Sequence, residues 1–316
     1  MKIVVLDGRG LNPGDLSYAC LEEFGSVTVY QHTDTPAEAI ARIGSSEIVL
    51  VNKVPITREI LDACPSIRLI CVLATGYNVV DCQACAQRGI PVTNVPAYGT
   101  AAVAQFTMAL ILELCHRVGL HNHSVHQGDW CRSETFCYWL TPQMELAGKT
   151  LGIIGYGRIG QAVGALARAF GMEVLAYHPR HSLSGEPYVE LDTLLERSDI
   201  LSLHCPLFPE TQHLINRETI AKMKDGAMLI NTARGALVEE SALAQALNAG
   251  KLRGAAVDVV SQEPMTPDNP LLSCKNCIIT PHIAWAPVES RQRLLDCVVE
   301  NIRSYLAGHP QNVVNG

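Results

Sequence analysis

Short apolar runs alternate with amphipathic stretches along most of the chain, a pattern that predicts strands separated by helices. In the first 96 residues, the apolar runs predict strands at 3–6, 27–30, 48–51, 69–72 and 91–93. The stretches between them predict helices at 15–24, 36–43, 57–63 and 80–88. Strands that alternate with helices are typical of a doubly wound α/β fold, a parallel sheet with helices on both faces.

The alternation resumes after residue 148 and predicts a second parallel sheet. Its strands are expected at 151–154, 173–177, 200–203, 228–231, 255–259 and 278–280. A last helix, over 288–307, is expected to return to the first domain. We therefore predict two α/β domains, one formed by residues 1–97 and 286–316 and the other by residues 98–285.

A long connection separates the two predicted sheets. A helix from 100 to about 119 is apolar nearly all round and should be buried. Residues 120–147, which include His121, His123 and His126, are predicted to be irregular. Long loops of this kind tend to be functional. Its aromatic residues are Trp130, Phe136, Tyr138 and Trp139. They favour a contact between two copies of the chain, and we expect a homodimer.

The stretch LGIIGYGRIG at 151–160 predicts a strand, a glycine turn and the start of a helix. Gly155, Gly157 and Gly160 have the G-x-G-x-x-G spacing of a dinucleotide-binding turn. Such glycines allow the tight turn, the approach of a pyrophosphate and close packing of helix on strand. A helix is expected over the following residues, 161–170, and the free N–H groups and partial positive charge at its amino end suit phosphates.

Composition narrows the class of protein. The chain has 316 residues, enough for two cores, and 24 basic against 31 acidic residues give a net charge of −7. No basic run stands out, so we expect no nucleic-acid partner. The first residues predict a strand rather than a signal peptide, and no apolar stretch is long enough to span a bilayer. A cytoplasmic enzyme with no membrane partner is the expectation.

The 12 cysteines raise the question of a metal site. Cys82 and Cys85 form one C-x-x-C pair, and Cys274 and Cys277 form another. The pairs are far apart, and each falls in or beside a predicted helix or strand. We therefore expect no metal site and no disulfide, and most of these cysteines should be small core residues.

Polar residues follow the predicted strands of the second sheet. In an open parallel sheet, ligands bind at the carboxyl ends of the strands. The residues at those ends are His178, Pro179, Arg180, Cys205, Pro206, Thr232, Ala233, Arg234, Asp258, Glu263 and His282. Three of these residues suit hydride transfer to a carbonyl. His282 is an acid near neutral pH, Glu263 is a carboxylate that keeps it protonated, and Arg234 can bind a substrate carboxylate with two parallel hydrogen bonds. They are our predicted catalytic residues.

The stretches GKTLGIIGYGRIG, INTARGALV, AAVDVVSQEP and TPHIAW follow one another along the chain. In this order, together with LICVLATGYNVVD near the start, they make the sequence similar to the D-isomer-specific 2-hydroxyacid dehydrogenases. The resemblance covers nearly the whole chain. It implies a flavodoxin-like substrate domain and a Rossmann cofactor domain, with a cleft between them.

The resemblance also implies roles for single residues. Arg234 binds the substrate carboxylate, His282 is the acid and base, and Glu263 pairs with His282. Backbone N–H groups of Thr75 and Gly76 hold the substrate, and Asp258 contacts the nicotinamide carboxamide. The other residues implied to line the cofactor are Thr107, Gly155, Gly157, Arg158, Ile159, Gly160, His178, Pro179, Arg180, Cys205, Pro206, Thr232, Ala233, Arg234 and His282.

Within that family, VNKVPIT and ATGYNVVD are most similar to glycerate dehydrogenases and hydroxypyruvate or glyoxylate reductases. A short 2-oxo acid is therefore the expected substrate. In some of these enzymes a tryptophan of the partner subunit reaches the pocket, and Trp139 is the candidate here. Two alternatives stay open: a phosphoglycerate dehydrogenase, and a non-catalytic protein that senses the dinucleotide.

The identity of the cofactor, NAD(H) or NADP(H), depends on the end of the second strand. NAD enzymes usually carry an acidic residue there, which binds the ribose hydroxyls. This chain has His178, Pro179, Arg180 and His181 instead. His178 and Arg180 suit a 2′-phosphate, which favours NADP(H) slightly and leaves both cofactors open.

Overall fold

A computed structural model describes residues 1–180 and 187–316. It divides into two compact units, one formed by residues 1–99 and 286–316 and the other by residues 100–285. Each unit contains a parallel sheet, which confirms the predicted fold class of two doubly wound α/β domains.

The first unit contains a five-stranded sheet in the order β2-β1-β3-β4-β5. Its strands are β1 (Lys2–Val5), β2 (Ser26–Val29), β3 (Ile48–Val51), β4 (Leu69–Val72) and β5 (Val92–Thr93). Its helices are α1 (Pro36–Ile43), α2 (Arg58–Ala63), α3 (Cys82–Gln87) and α10 (Val288–Leu306). Every residue of β3 and β4 is buried, as continuous Ile, Leu and Val runs predict for central parallel strands.

The second unit contains a six-stranded parallel sheet in the order β11-β10-β9-β8-β6-β7. Its strands are β6 (Thr150–Ile154), β7 (Glu173–Tyr177), β8 (Ile200–Leu203), β9 (Ala227–Asn231), β10 (Leu252–Val257) and β11 (Cys277–Ile279). Its helices are α4 (Thr100–His116), α5 (Val118–His126), α6 (Arg158–Ala169), α7 (Leu191–Arg197), α8 (Arg217–Lys222) and α9 (Glu240–Asn248). Since β7 and β8 lie on opposite sides of β6, the strand order reverses beside β6, where such sheets bind ligands.

The prediction that residues 120–147 are irregular is wrong for the first part of that segment. The long helix ends at His116 rather than near 119, and α5 continues the helical structure to His126. Arg117 separates the two helices with a left-handed backbone, at a φ of 48°. His121, His123 and His126 therefore lie on a helix. Neither proline nor a polar cluster marks the break, which is why the sequence pattern placed it elsewhere.

The prediction of an α-helix over 15–24 is also wrong. The structure has a short 3₁₀ helix over Ala19–Phe24. Before it, the side chain of Asn12 accepts hydrogen bonds from the backbone N–H groups of Gly14 and Leu16. Such local side-chain bonds compete with an α-helix, and here they fold the segment into turns.

The long helix α4 is buried as predicted, with nine of its residues in the core, where it packs against α6. Among residues 1–180 and 187–316, no single helix is long and apolar enough to cross a membrane. Helices α4 and α5 together meet that requirement by length and composition only, and they are bent by 56°.

Candidate active site

The glycine turn joins β6 to α6, and two of its glycines are required by close backbone contacts. Gly155 has a φ of 92°, and a Cβ there would lie 2.5 Å from the backbone nitrogen of Cys205. A Cβ on Gly160 would lie 2.4 Å from the carbonyl oxygen of Gly155. Larger residues would push β8 and α6 away from the turn.

The third glycine, Gly157, leaves the start of α6 open. It is the N-cap of the helix, and a Cβ built on it meets no atom of the described residues within 4 Å. The N–H groups of the first helical turn, which includes Arg158 and Ile159, have no partner within the helix itself. A diphosphate fits this open helix start, because backbone N–H groups and the helix dipole both favour an anion.

Arg234 is held just beyond the end of β9 by the buried side chain of Asn231. The Asn231 carboxamide accepts from the N–H of Ala233 at 3.0 Å and donates to the carbonyl of Arg234 at 2.9 Å. The Arg234 side chain is exposed, and its Nη1 donates to the carbonyl of Ala233 at 2.7 Å. The turn is therefore rigid at its base and presents a guanidinium to solvent.

His282 follows β11 in a loop that Asp258 holds. The Asp258 carboxylate is 1% exposed. Its Oδ1 accepts from Thr280 Oγ1 at 2.6 Å and from the N–H of Ile283 at 2.9 Å. Its Oδ2 accepts from the N–H of Ala284 at 2.8 Å. His282 lies inside this bracket with a left-handed backbone, at a φ of 56°.

Glu263 and His282 form a close pair. The distance from His282 Nδ1 to Glu263 Oε2 is 2.7 Å, and each side chain is about one third exposed, at 32% and 33%. A carboxylate accepts only, so Nδ1 carries the proton and donates it to Glu263. Nε2 is then the nitrogen that can exchange a proton with a ligand, as hydride transfer to a carbonyl requires.

Two further strand ends carry residues predicted to bind the cofactor. After β7, the Arg180 guanidinium lies 4.4 Å from the centroid of the Phe208 ring, and the Arg180 N–H donates to His178 Nδ1 at 3.3 Å. Pro179 lies between them, and His181 falls outside the described residues. The hydroxyls of Thr107, on α4, and Thr232, after β9, are 3.1 Å apart.

After β8, the backbone of Cys205, which precedes Pro206, lies against the glycine turn. Burial raises the pKa of the Cys205 thiol to about 11, so it packs as a neutral group. Burial also lowers the pKa of His204 to about 4, which leaves its ring neutral near pH 7. His204 Nε2 lies 2.8 Å from Ser202 Oγ.

Thr75 and Gly76 belong to the first unit, where they follow β4. Thr75 Oγ1 donates to the carbonyl of Val95 at 2.8 Å, and the Asn94 side chain donates to the carbonyl of Thr75 at 2.8 Å. These bonds fix the backbone of the loop whose N–H groups were predicted to bind substrate.

Asn231 was not among the predicted site residues, although the sequence indicates that its side chain is needed there. A polar residue ends the apolar run MLIN directly before the turn that bears Arg234. A buried amide at such a point must find hydrogen-bond partners, and those within reach are the backbone groups of the turn.

Comparison with known proteins gives a consistent result. The sequence model described as D-isomer specific 2-hydroxyacid dehydrogenase, NAD binding domain, matches residues 108–284. A hydroxypyruvate reductase of Blautia hydrogenotrophica is 56% identical, over 100% of both chains. A glycerate dehydrogenase of Methylorubrum extorquens is 42% identical, over 99% of this chain and 98% of its own.

The structure is similar to that of an NADPH-dependent glyoxylate/hydroxypyruvate reductase from Sinorhizobium meliloti. The TM-score is 0.84 at 29% identity, and the match covers 99% of this chain and 97% of the other. The fold, the open glycine turn and these relatives all indicate the same family. The chain belongs to the family of D-isomer-specific 2-hydroxyacid dehydrogenases, oxidoreductases that act on the CH–OH group of small 2-hydroxy acids and on the matching 2-oxo acids.

Proposed function

We propose that this enzyme reduces hydroxypyruvate or glyoxylate to the D-2-hydroxy acid, and catalyses the reverse reaction, with NAD(P)H as cofactor. The observation that carries the proposal is the 2.7 Å contact between His282 and Glu263. The pair lies on the same sheet edge as Arg234 and the open glycine turn. The names of the relatives in Blautia hydrogenotrophica and Sinorhizobium meliloti support the choice of substrate.

In the proposed reaction, each residue has a distinct task. A bound dihydronicotinamide supplies the hydride. Arg234 grips the substrate carboxylate with two parallel hydrogen bonds. His282 donates the proton on Nε2 to the carbonyl oxygen as charge develops there. Glu263 accepts from Nδ1 throughout, which holds the ring in one orientation during the transfer.

The cofactor would be held along the same edge, in the proposal, by the predicted residues of the second unit. Asp258 would contact the carboxamide, and the hydroxyl pair of Thr107 and Thr232 would lie near the ring. The first turn of α6 would bind the diphosphate through its N–H groups.

The direct test is an assay of the purified protein with hydroxypyruvate, glyoxylate and 3-phosphohydroxypyruvate, each with NADH and with NADPH. Oxidation of the reduced cofactor is followed by absorbance. We expect turnover with the two short acids. Faster turnover of 3-phosphohydroxypyruvate would show that the proposed substrate is wrong and that the phosphorylated acid is preferred. No turnover with any of the three acids would indicate a protein that only binds the dinucleotide.

We infer that NADP(H) is the preferred cofactor. Arg180 lies beyond β7, where an acidic residue would bind the ribose hydroxyls of NAD. Its stacking on Phe208, at 4.4 Å, limits the motion of the guanidinium and leaves its N–H groups able to bind a 2′-phosphate. The NADPH-dependent relative in Sinorhizobium meliloti supports this inference. The cytoplasmic location expected from the sequence stays a prediction.

Arg180→Ala tests the choice of cofactor. A charge-assisted hydrogen bond contributes roughly 1.5–3 kcal/mol, so we expect the KM for NADPH to rise about 10–100-fold. The KM for NADH should change little, because NADH has no 2′-phosphate. Arg217→Ala, which removes an arginine bonded to Gln245 on the surface, is the matched control. Equal losses with both cofactors would remove the case for a phosphate contact.

We also propose that the chain forms a homodimer through the arm formed by residues 118–140. The arm exposes several large apolar side chains, among them Phe136 at 89%, Trp139 at 68% and Val118 at 63%. Exposed apolar groups clustered in one segment mark interaction surfaces in many proteins. In the proposed dimer, this apolar surface is covered by a second copy of the chain.

Light scattering tests the dimer. We expect twice the mass of one chain for the wild type, and a shift toward the monomer for Phe136→Asp, because a carboxylate cannot be buried there without a partner. Leu272→Asp, at another exposed leucine outside the arm, should leave the mass unchanged. A monomeric wild type would contradict the proposal.

A further inference from the structure

The loop that carries Glu263 has little burial of its own to fix it. It runs from Asp258, after β10, to Asn269, and residues 261–264 and 267–268 are exposed. Val260 and Met265 pack partly against the core on either side of Glu263. Glu263 can orient the His282 ring at 2.7 Å only if this exposed loop keeps one position. Contacts from outside the loop must therefore help to hold it.

Glu240 is bonded to the loop on both sides of Glu263. Its Oε1 accepts from the N–H of Ser261 at 2.6 Å, and its Oε2 accepts from Ser261 Oγ at 3.0 Å. The same Oε2 accepts from the side chain of Asn269 at 2.8 Å. One carboxylate therefore ties a residue two positions before Glu263 to a residue six positions after it.

Both ends of this connection are anchored. Glu240 is the first residue of α9, and Ala242 and Leu243 in the same helical turn are buried in the core. At the other end, Asn269 is buried and caps a short 3₁₀ helix by accepting from the N–H of Leu271 at 3.0 Å. The carboxylate thus links two fixed points across a loop that is otherwise open to solvent.

The same segment also joins the loop to the turn of Arg234. A Cβ on Gly235 would lie 1.9 Å from the carbonyl carbon of Val260, so the two backbones touch there and only glycine fits. The chain from Arg234 to Glu240 therefore contacts the Glu263 loop at both of its own ends.

We propose that Glu240 is a positioning residue, which holds the Glu263 loop so that the Glu263 carboxylate stays against His282 Nδ1. This role rests on the proposed function of the His282 and Glu263 pair. Glu240 itself contacts Ser261 and Asn269 and touches neither partner of that pair.

The proposal has a kinetic consequence. When the loop is loosened, Glu263 spends less time against His282 Nδ1, and the ring is oriented for proton transfer in a smaller share of the molecules. The value of kcat should therefore fall, while binding of the cofactor, which does not involve Glu263 in the proposal, stays unchanged.

Glu240→Ala is the first test, measured as kcat and KM for hydroxypyruvate reduction and as the Kd for NADPH. We expect kcat to fall about tenfold, because small misplacements of catalytic groups have effects of this order or larger. The KM for hydroxypyruvate and the Kd for NADPH should stay close to those of the wild type. Glu240→Gln keeps one acceptor oxygen, so its kcat should lie between those of the wild type and of Glu240→Ala.

The matched control is Glu239→Ala, which removes the same charge one position earlier. The Glu239 carboxylate accepts from Ser241 Oγ, which lies on its own helix and not in the loop. The kcat of this variant should match that of the wild type. An equal fall in this control would show that net charge at the start of α9, and not the link to the loop, sets kcat.

A double-mutant comparison separates positioning from a general loss of stability. If Glu240 acts through Glu263, then adding Glu240→Ala to Glu263→Gln should lower kcat little further, since the effects of residues that act through one another do not add. A full tenfold further loss would overturn the proposal, and so would an unchanged kcat in Glu240→Ala. An inactive wild type would instead remove the proposed function, and a lowered Tm of Glu240→Ala would identify unfolding separately.

Discussion

Replacing His282 with glutamine should lower kcat for hydroxypyruvate reduction by about 10²–10⁴-fold, the usual contribution of general acid catalysis. Glutamine is close to histidine in size, and its amide can still donate to Glu263. It has no proton that can be released near neutral pH, so the carbonyl oxygen loses its donor. The affinity for NADPH, measured by fluorescence titration without substrate, should stay close to that of wild type.

The control for this variant is His116→Gln, which removes an imidazole from the end of α4, where it is bonded to Gln143. It should leave kcat unchanged. If His282→Gln retained activity within a factor of a few, His282 would not be the acid, and the pair with Glu263 would need another explanation.

Replacing Arg234 with alanine should lower kcat/KM by about 10²–10⁴-fold, since two charge-assisted hydrogen bonds of roughly 1.5–3 kcal/mol each are lost. Both KM and kcat should change, because the same guanidinium binds the carboxylate and polarises the neighbouring carbonyl. Among the described residues, its polar partner is the carbonyl of Ala233, and no carboxylate pairs with it. The side chain is therefore available for a substrate anion.

Arg234→Lys distinguishes charge from geometry. Lysine keeps the positive charge but cannot donate two parallel hydrogen bonds from one plane. We expect it to recover only part of the loss. Full activity in the lysine variant would argue against a bidentate grip, and an unchanged KM in Arg234→Ala would remove the role in carboxylate binding.

The residues at the strand ends of the second sheet could be predicted because the topology of a parallel sheet determines where they lie. In a parallel sheet every strand ends at the same edge, so residues far apart in the chain are brought together. Glu263 and His282 are 19 positions apart, yet β10 and β11 are neighbours and their following loops meet. Pattern and periodicity were enough to place them on one edge.

The residues that support the site could not be predicted in the same way. Glu239 and Glu240 are alike in the sequence, and both would be explained by the helix dipole at the start of α9. Only the folded loop shows that Glu240 reaches Ser261 and Asn269. Its partners lie 21 and 29 positions away, and no local pattern encodes such contacts.

The helix α5 was missed for a different reason. Its sequence, VGLHNHSVH, contains a glycine and residues of low helix propensity, so local preference favours a loop. It forms nonetheless, with Ser124 buried and bonded to Asp129 and Tyr138. Tertiary contacts therefore override a weak local preference in this segment.

The left-handed backbone of His282 has a thermodynamic consequence. A side chain with a Cβ costs about 1–2 kcal/mol in that region, and glycine would relieve it. Three groups donate hydrogen bonds to the Asp258 carboxylate around this point, and these bonds hold the unfavourable conformation in place. The enzyme thus gives up part of its folding free energy to aim one imidazole, and selection for maximal heat resistance alone would remove the residue on which turnover depends.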